Sequence, residues 1–203
     1  MTTAKMTRRE QYAAMTRAAL LESARRLFVE QGFDAASVDD IARDCDVSKG
    51  AVYHHFRDKQ ELFVEVYRDS ERKLMEAVMQ VHGQQLDADP WDLIVACSQT
   101  VLRRRAADAE GCALLKQAST VLGAERRQQL DSELVLPLIR GLVQLVHDAG
   151  RLQPVDIDVA AQLVFHILSE SSMLIAFSPD PQTSAEKVEA VMLRMFEGLH
   201  TKS

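Results

Sequence analysis

Apolar residues recur at helical spacing along almost the whole chain, and this constrains its fold more than any other feature. Leu20, Ala24, Leu27 and Phe28 fall at i, i+4, i+7 and i+8, one face of a first helix from about residue 16. Leu62, Phe63, Val66, Tyr67, Leu74, Val78 and Val81 form a second such stripe. Val188, Val191, Met192, Met195 and Leu199 form a third, on a last helix over about 184–200. No alternating run reads as a strand. Only 8 Gly and 5 Pro in 203 residues leave few tight turns, which disfavours a sandwich or barrel. The expected fold is all-α with about nine helices.

Local stop and start signals divide the pattern. Gly32, with Phe28 and Phe33 either side, reads as a Schellman end to the first helix. Ser37 reads as the cap of a short second helix, with Asp40 three residues on and Val38, Ile41, Ala42 and Cys45 as its apolar face. Asp46-Val47-Ser48 reads as a turn, with Ser48 capping a third short helix from Lys49 to about His55. Asp58 caps a long fourth helix ending near Gly83. Asp89-Pro90 reads as N-cap and first helical residue of a fifth, over about 90–106. A shorter helix over 110–122 follows, then a long one over 124–149, where Pro137 is expected to kink or break it. Asp156–Phe177 is apolar nearly all round and is expected to be buried on every side. Ser178–Thr183 reads as a loop.

Composition narrows the class of protein. The longest strictly apolar runs are about five residues, far short of the ~20 that span a bilayer, and no apolar stretch of signal-peptide length follows the basic N-terminus. Cys45, Cys97 and Cys112 are odd in number and widely spaced, so neither a disulfide framework nor a metal site is expected, and the location expected is the cytoplasm. The net charge of −6 hides an asymmetry. Residues 1–59 carry ten Lys/Arg and nine Asp/Glu; the remainder carries fourteen and twenty-one. A local basic surface can neutralise phosphates on an otherwise acidic chain.

Two short helices joined by a tight turn have the spacing of a helix-turn-helix, whose second helix enters the DNA major groove. Gly50 lets the backbone approach DNA closely. Lys49 can donate to guanine or to a phosphate, and Ala51 can touch a thymine methyl. Tyr53, His54 and His55 can donate to phosphates, with packing the other reading of Tyr53. Lys59 adds a cation at the positive end of the next helix.

The stretch from about Thr16 to Tyr67, with Val47-Ser48-Lys49-Gly50-Ala51-Val52-Tyr53-His54-His55-Phe56 and Asp58-Lys59-Gln60-Glu61-Leu62, resembles the DNA-binding domain of the TetR family of bacterial transcriptional regulators. That resemblance implies phosphate contacts at Ser37 and Lys59 and base-facing positions at Lys49, Gly50 and Ala51, with Ser48 at the helix start. It places Tyr53, His54 and His55 near the DNA backbone. It also implies an inducer pocket enclosed by the middle helices and a four-helix dimer interface from the last two of each protomer. Expected domains are a flexible basic arm over 1–15 (Lys5, Arg8, Arg9), a helix-turn-helix domain over 16–62, and a ligand-binding and dimerisation domain over 63–203.

Candidates to line the pocket are Trp91, Cys97, Cys112, Leu115, Val121, His147, Phe165, His166, Ser169 and Glu170. His166 and Glu170 lie on one face of an apolar helix, so they are expected to hydrogen-bond in the core, across a dimer seam, or to a ligand. Arg103-Arg104-Arg105 reads as a solvated helix end. The function expected is a dimeric repressor on a palindromic operator, released by a small-molecule inducer. An activator or a regulator without a switch is the alternative. An enzyme is the third class, for which no nucleophile, metal or nucleotide signature and no cofactor is expected.

Overall fold

The computed structural model describes residues 7–84 and 88–201. Among them are nine helices: α1 Arg8–Gln31, α2 Val38–Asp44, α3 Lys49–His55, α4 Lys59–Gln84, α5 Pro90–Ala107, α6 Ala109–Val121, α7 Ala124–Asp148, α8 Ile157–Phe177 and α9 Pro181–Glu197. The all-α fold is as expected. The chain divides into two compact units within α4, one ending at Asp69 and the other beginning at Ser70.

In the N-terminal unit, α1 begins about two turns earlier than the apolar stripe indicates. Thr7 accepts from Glu10 N–H while Glu10 accepts from Thr7 N–H, a capping box that makes residues 8–15 helical rather than a flexible arm. Lys5 lies outside the described residues. Gly32 ends α1 at φ 85° and ψ 161°, outside the left-handed helical region, so the expected Schellman end does not form there. The motif closes α2 instead. Asp46 takes φ 53°, its N–H donates to Arg43 O, and Val47 N–H donates to Ala42 O at 3.0 Å. This bonded turn sets the path of the chain from α2 into α3. Beneath it lie Leu20, Phe28, Ile41, Val52, Phe63 and Tyr67, all buried. Phe28, Phe33 and Phe63 meet with ring centroids 5.3–5.7 Å apart.

In the C-terminal unit, α8 packs against α5, α6, α7 and α9. Asp89 caps α5 with Pro90 at its first turn, and Asp180-Pro181 does the same for α9. The last helix therefore starts within the segment expected to be a loop. α7 runs as one helix through Pro137. Its following turns bury Ile139, Leu142, Val143 and Val146 in the core, so tertiary packing outweighs the missing backbone donor.

Two expectations need correction here. Met192 is buried in its own unit while Val191 and Met195 are exposed, so the α9 stripe serves two different faces. α8 is not buried on every side, because Val159, Leu163, Leu174 and Phe177 are exposed. Among the described residues it is also the one helix long and apolar enough to cross a membrane by length and composition, and half of its most apolar window is buried within the unit.

Candidate nucleic-acid interface and buried cavity

The helix-turn-helix presents α3 by anchoring it thinly. Val52 is its one buried residue, and Phe56, just past its end, is buried beside it. Ser48 caps it by accepting from Ala51 N–H at 3.2 Å. Lys49, Gly50, Tyr53 and His54 are exposed, while Ala51 and His55 are half-buried. A Cβ on Gly50 would meet nothing closer than Ser48 Oγ at 3.8 Å, so internal packing does not account for a glycine there. His55 is pushed below the ordinary histidine value, first by burial and then by neighbouring His54 and Arg17.

The flanking cations are already engaged. Lys49 Nζ lies 2.6 Å from Asp39 Oδ2 in an exposed ion pair. Lys59 Nζ donates to Phe33 O at 2.8 Å, Ala36 O at 3.2 Å and Asp34 O at 3.4 Å, and sits 4.3 Å from the Phe33 ring centroid. The Lys59 ammonium thus ties the loop between α1 and α2 to the start of α4. Ser37 caps α2 by accepting from Asp40 N–H, and its hydroxyl donates to Asp40 Oδ2. That bond, with Arg43 next in importance, holds the Asp40 carboxyl below its usual range.

The C-terminal unit contains a small, partly open cavity walled by Leu74, Met75, Val101, Leu115, Val135, Phe165 and Leu168. Glu71, Arg105, Arg127, Asp131, Ser169 and Ser172 supply its polar groups. Arg105 Nη2 donates to both carboxylate oxygens of Glu71 at 2.7 Å, and Arg127 Nη1 donates to Asp131 Oδ2 at 2.7 Å and Ser169 Oγ at 3.3 Å. Of the expected lining residues, Leu115, Phe165 and Ser169 are here.

The others lie elsewhere. Trp91 lines a smaller apolar pocket with Val143, Val146 and Phe196, its ring stacked on His200 at 4.3 Å. Cys97 is core, and Cys112 is buried with Sγ donating to Arg105 O; burial pushes both thiols up. Val121 is half-buried outside the cavity and His147 is exposed beside Asp148. His166 and Glu170 are exposed within the chain rather than buried. His166 Nδ1 pairs with Gln128 Nε2 at 2.8 Å, and Glu170 stands 3.9 Å from Arg127.

Arg105 is 2% exposed and not a solvated helix end, although Arg103 and Arg104 beside it are exposed. Its signal in the sequence is the acidic partner Glu71, 34 residues away, which no local pattern marks.

Comparison with known proteins agrees with this division. Residues 20–66 match the family model described as "Bacterial regulatory proteins, tetR family", and residues 93–199 match "Tetracyclin repressor-like, C-terminal domain". The transcriptional regulator AcrR of Shigella flexneri is 35% identical over 85 residues, 42% of this chain and 39% of AcrR. This chain thus spans about two fifths of that relative. A TetR-family transcriptional regulator from Pectobacterium atrosepticum superposes with a TM-score of 0.81 at 26% identity, covering 97% of this chain and 99% of that one. RolR, solved in complex with resorcinol, superposes at 0.70 with 23% identity, covering 91% of this chain and 89% of RolR. With its helix-turn-helix unit and more than half its length matched by family models, the chain belongs to the TetR family of DNA-binding transcriptional regulators.

Proposed function

We propose that the protein is a dimeric repressor that binds a palindromic operator and is released by a small molecule in its C-terminal unit. The observation that carries this reading is the outward face of α3. Lys49, Gly50, Tyr53 and His54 are exposed on a helix held at its base by Val52. Ser48, Ala51 and His55 would join this surface, with Ser37 and Lys59 as phosphate contacts. Residues 16–62 would act on DNA, and 63–203 would bind ligand and dimerise.

Three observations support the rest. The second matched family model is repressor-like. The solved relative RolR holds resorcinol, and the cavity here offers polar groups among apolar walls to a compound of that general kind. α8 and α9 expose Val159, Leu163, Leu174, Phe177, Val191 and Met195, an apolar surface suited to a two-fold partner. Ligand in the cavity would favour a dimer geometry whose recognition helices no longer match the operator. The compartment for such a regulator is the cytoplasm.

Nuclease footprinting of the purified protein on the promoters neighbouring its gene tests the proposal. The expected result is paired half-sites one helical turn or a multiple apart, with salt-sensitive affinity. Single asymmetric half-sites bound by a monomer would overturn it, and a reporter stimulated rather than silenced would make the protein an activator.

A further inference from the structure

The charged side chains that line the C-terminal cavity sum to zero; Glu170, 3.9 Å from Arg127, is 68% exposed and outside the lining. Glu71 and Asp131 each pair with one guanidinium, and the four side chains are 3–10% exposed. A ligand bringing its own charge would leave one charge in excess among apolar walls, where uncompensated charge is strongly disfavoured. A neutral ligand leaves both pairs intact.

Hydrogen-bonding capacity nevertheless remains. Arg127 Nε is buried with no acceptor among the described residues. The Ser172 hydroxyl has no hydrogen-bond partner among them either, although the residue is 7% exposed. Ser169, which touches Arg127, lies three residues before Ser172 on α8, so both serines share one face. Both residues line the cavity, which thus has an unused hydroxyl at Ser172 and an unused donor just beneath its surface at Arg127.

Size sets a second limit. The centre of a water-sized sphere can occupy about 40 Å³ of the cavity, room for roughly three waters. One substituted ring fills that space.

We infer that the cavity takes a neutral, single-ring compound whose hydroxyl accepts from Arg127 Nε and pairs with Ser172 Oγ, rather than a carboxylate or an ammonium. This inference rests on the reading of the C-terminal unit as ligand-responsive and names the chemistry of its ligand.

Titration calorimetry on the full chain with phenol, benzoate, benzylamine and toluene at neutral pH tests it. Phenol is expected to bind about tenfold more tightly than each of the others. Ser172→Ala should weaken phenol about tenfold and leave toluene unchanged. Asp131→Asn keeps an acceptor for Arg127 but leaves one positive charge in excess, so it should turn the preference to benzoate. Circular dichroism checks that this variant folds, and Ser172→Ala stays decisive if it does not.

Benzoate or benzylamine binding the parent protein as tightly as phenol would overturn the neutral class and leave the ligand-responsive reading standing. Toluene matching phenol, or phenol binding indifferent to Ser172→Ala, would overturn the polar contacts. No saturable binding by any of the four would overturn the inference together with the cavity as a ligand site.

Discussion

Lys59 shows how one side chain can serve a fold and a partner at once. Its ammonium is shared among three backbone carbonyls and the face of Phe33. Lys59→Ala should therefore lower the stability of the N-terminal unit by about 1–3 kcal/mol, read by urea unfolding. If the ammonium also meets a phosphate, the variant should weaken every duplex about equally and reduce the salt slope by about one. Lys49 is tied to Asp39 in an exposed ion pair, so Lys49→Ala should leave stability within about 0.5 kcal/mol and change preference among operator variants. A Lys49→Ala protein that ranks operators as its parent does would remove Lys49 from base readout. Local chemistry made the caps at Ser37, Ser48 and Asp58 legible in the sequence, because each acts within three or four residues. Arg105 and Arg127 were illegible for the opposite reason. Arg105 finds Glu71 34 residues away on α4, and Arg127, neutralised by Asp131 on its own helix, also donates to Ser169 of α8.

At the scale of elements, the turn between α2 and α3 carries the geometry on which recognition depends. Asp46 is the one described non-glycine residue with a positive φ, and its turn carries both Schellman bonds. Asp46→Gly should be neutral to stabilising by up to about 1 kcal/mol, since the relief of left-handed strain is partly offset by a freer unfolded chain. Asp46→Val should destabilise by about 1–2 kcal/mol and lower operator affinity as α3 loses its fixed entry. Equal unfolding midpoints for the two variants would dismiss the turn as a determinant. The helix starts add a pH dependence. Asp58, Asp89 and Asp180 are all held below the usual carboxylate range, chiefly by the N–H of Glu61, the N–H of Trp91 and the side chain of Thr183 respectively. The unfolded chain therefore takes up these protons first as pH falls. The stabilisation is complete above about pH 4–5 and is lost as pH drops through and below the ordinary Asp value. Asp58→Asn keeps a capping oxygen without the ionisation, so its unfolding midpoint should fall less between pH 6 and pH 3 than that of the parent. Helix starts were readable where such a cap stands next to an apolar stripe, as at Asp58 and Asp89, yet the starts of α1 and α9 were not. Thr7 and Asp180 cap turns that precede the apolar stripes, and the stripes alone set the expected starts.

For the whole molecule, the question is what covers the apolar surface that α8 and α9 leave open. Val191 and Met195 are 61% and 52% exposed on α9, and Leu163 and Leu174 are 58% and 63% exposed on α8. Periodicity alone did not separate this face of α9 from the inner one, because Met192 continues the same stripe into the core. A two-fold interface sets each patch against its own copy, so a single substitution acts twice. Met195→Glu would place two carboxylates at the seam and should cost several kcal/mol of association. Within one chain the same glutamate would be solvated, so the C-terminal unit should keep its fold. Sedimentation of Met195→Glu is then expected to show a monomer with the parent's circular dichroism. Operator affinity should collapse with it, because one recognition helix contacts one half-site and the gain from linking two is lost. Met192→Glu is the control from the inner face: burying a charge in the core should unfold the C-terminal unit rather than dissociate an intact one. A Met195→Glu protein that still sediments as a dimer would place the interface on another surface, and the exposed side chains of α8 and α9 would then need a different partner.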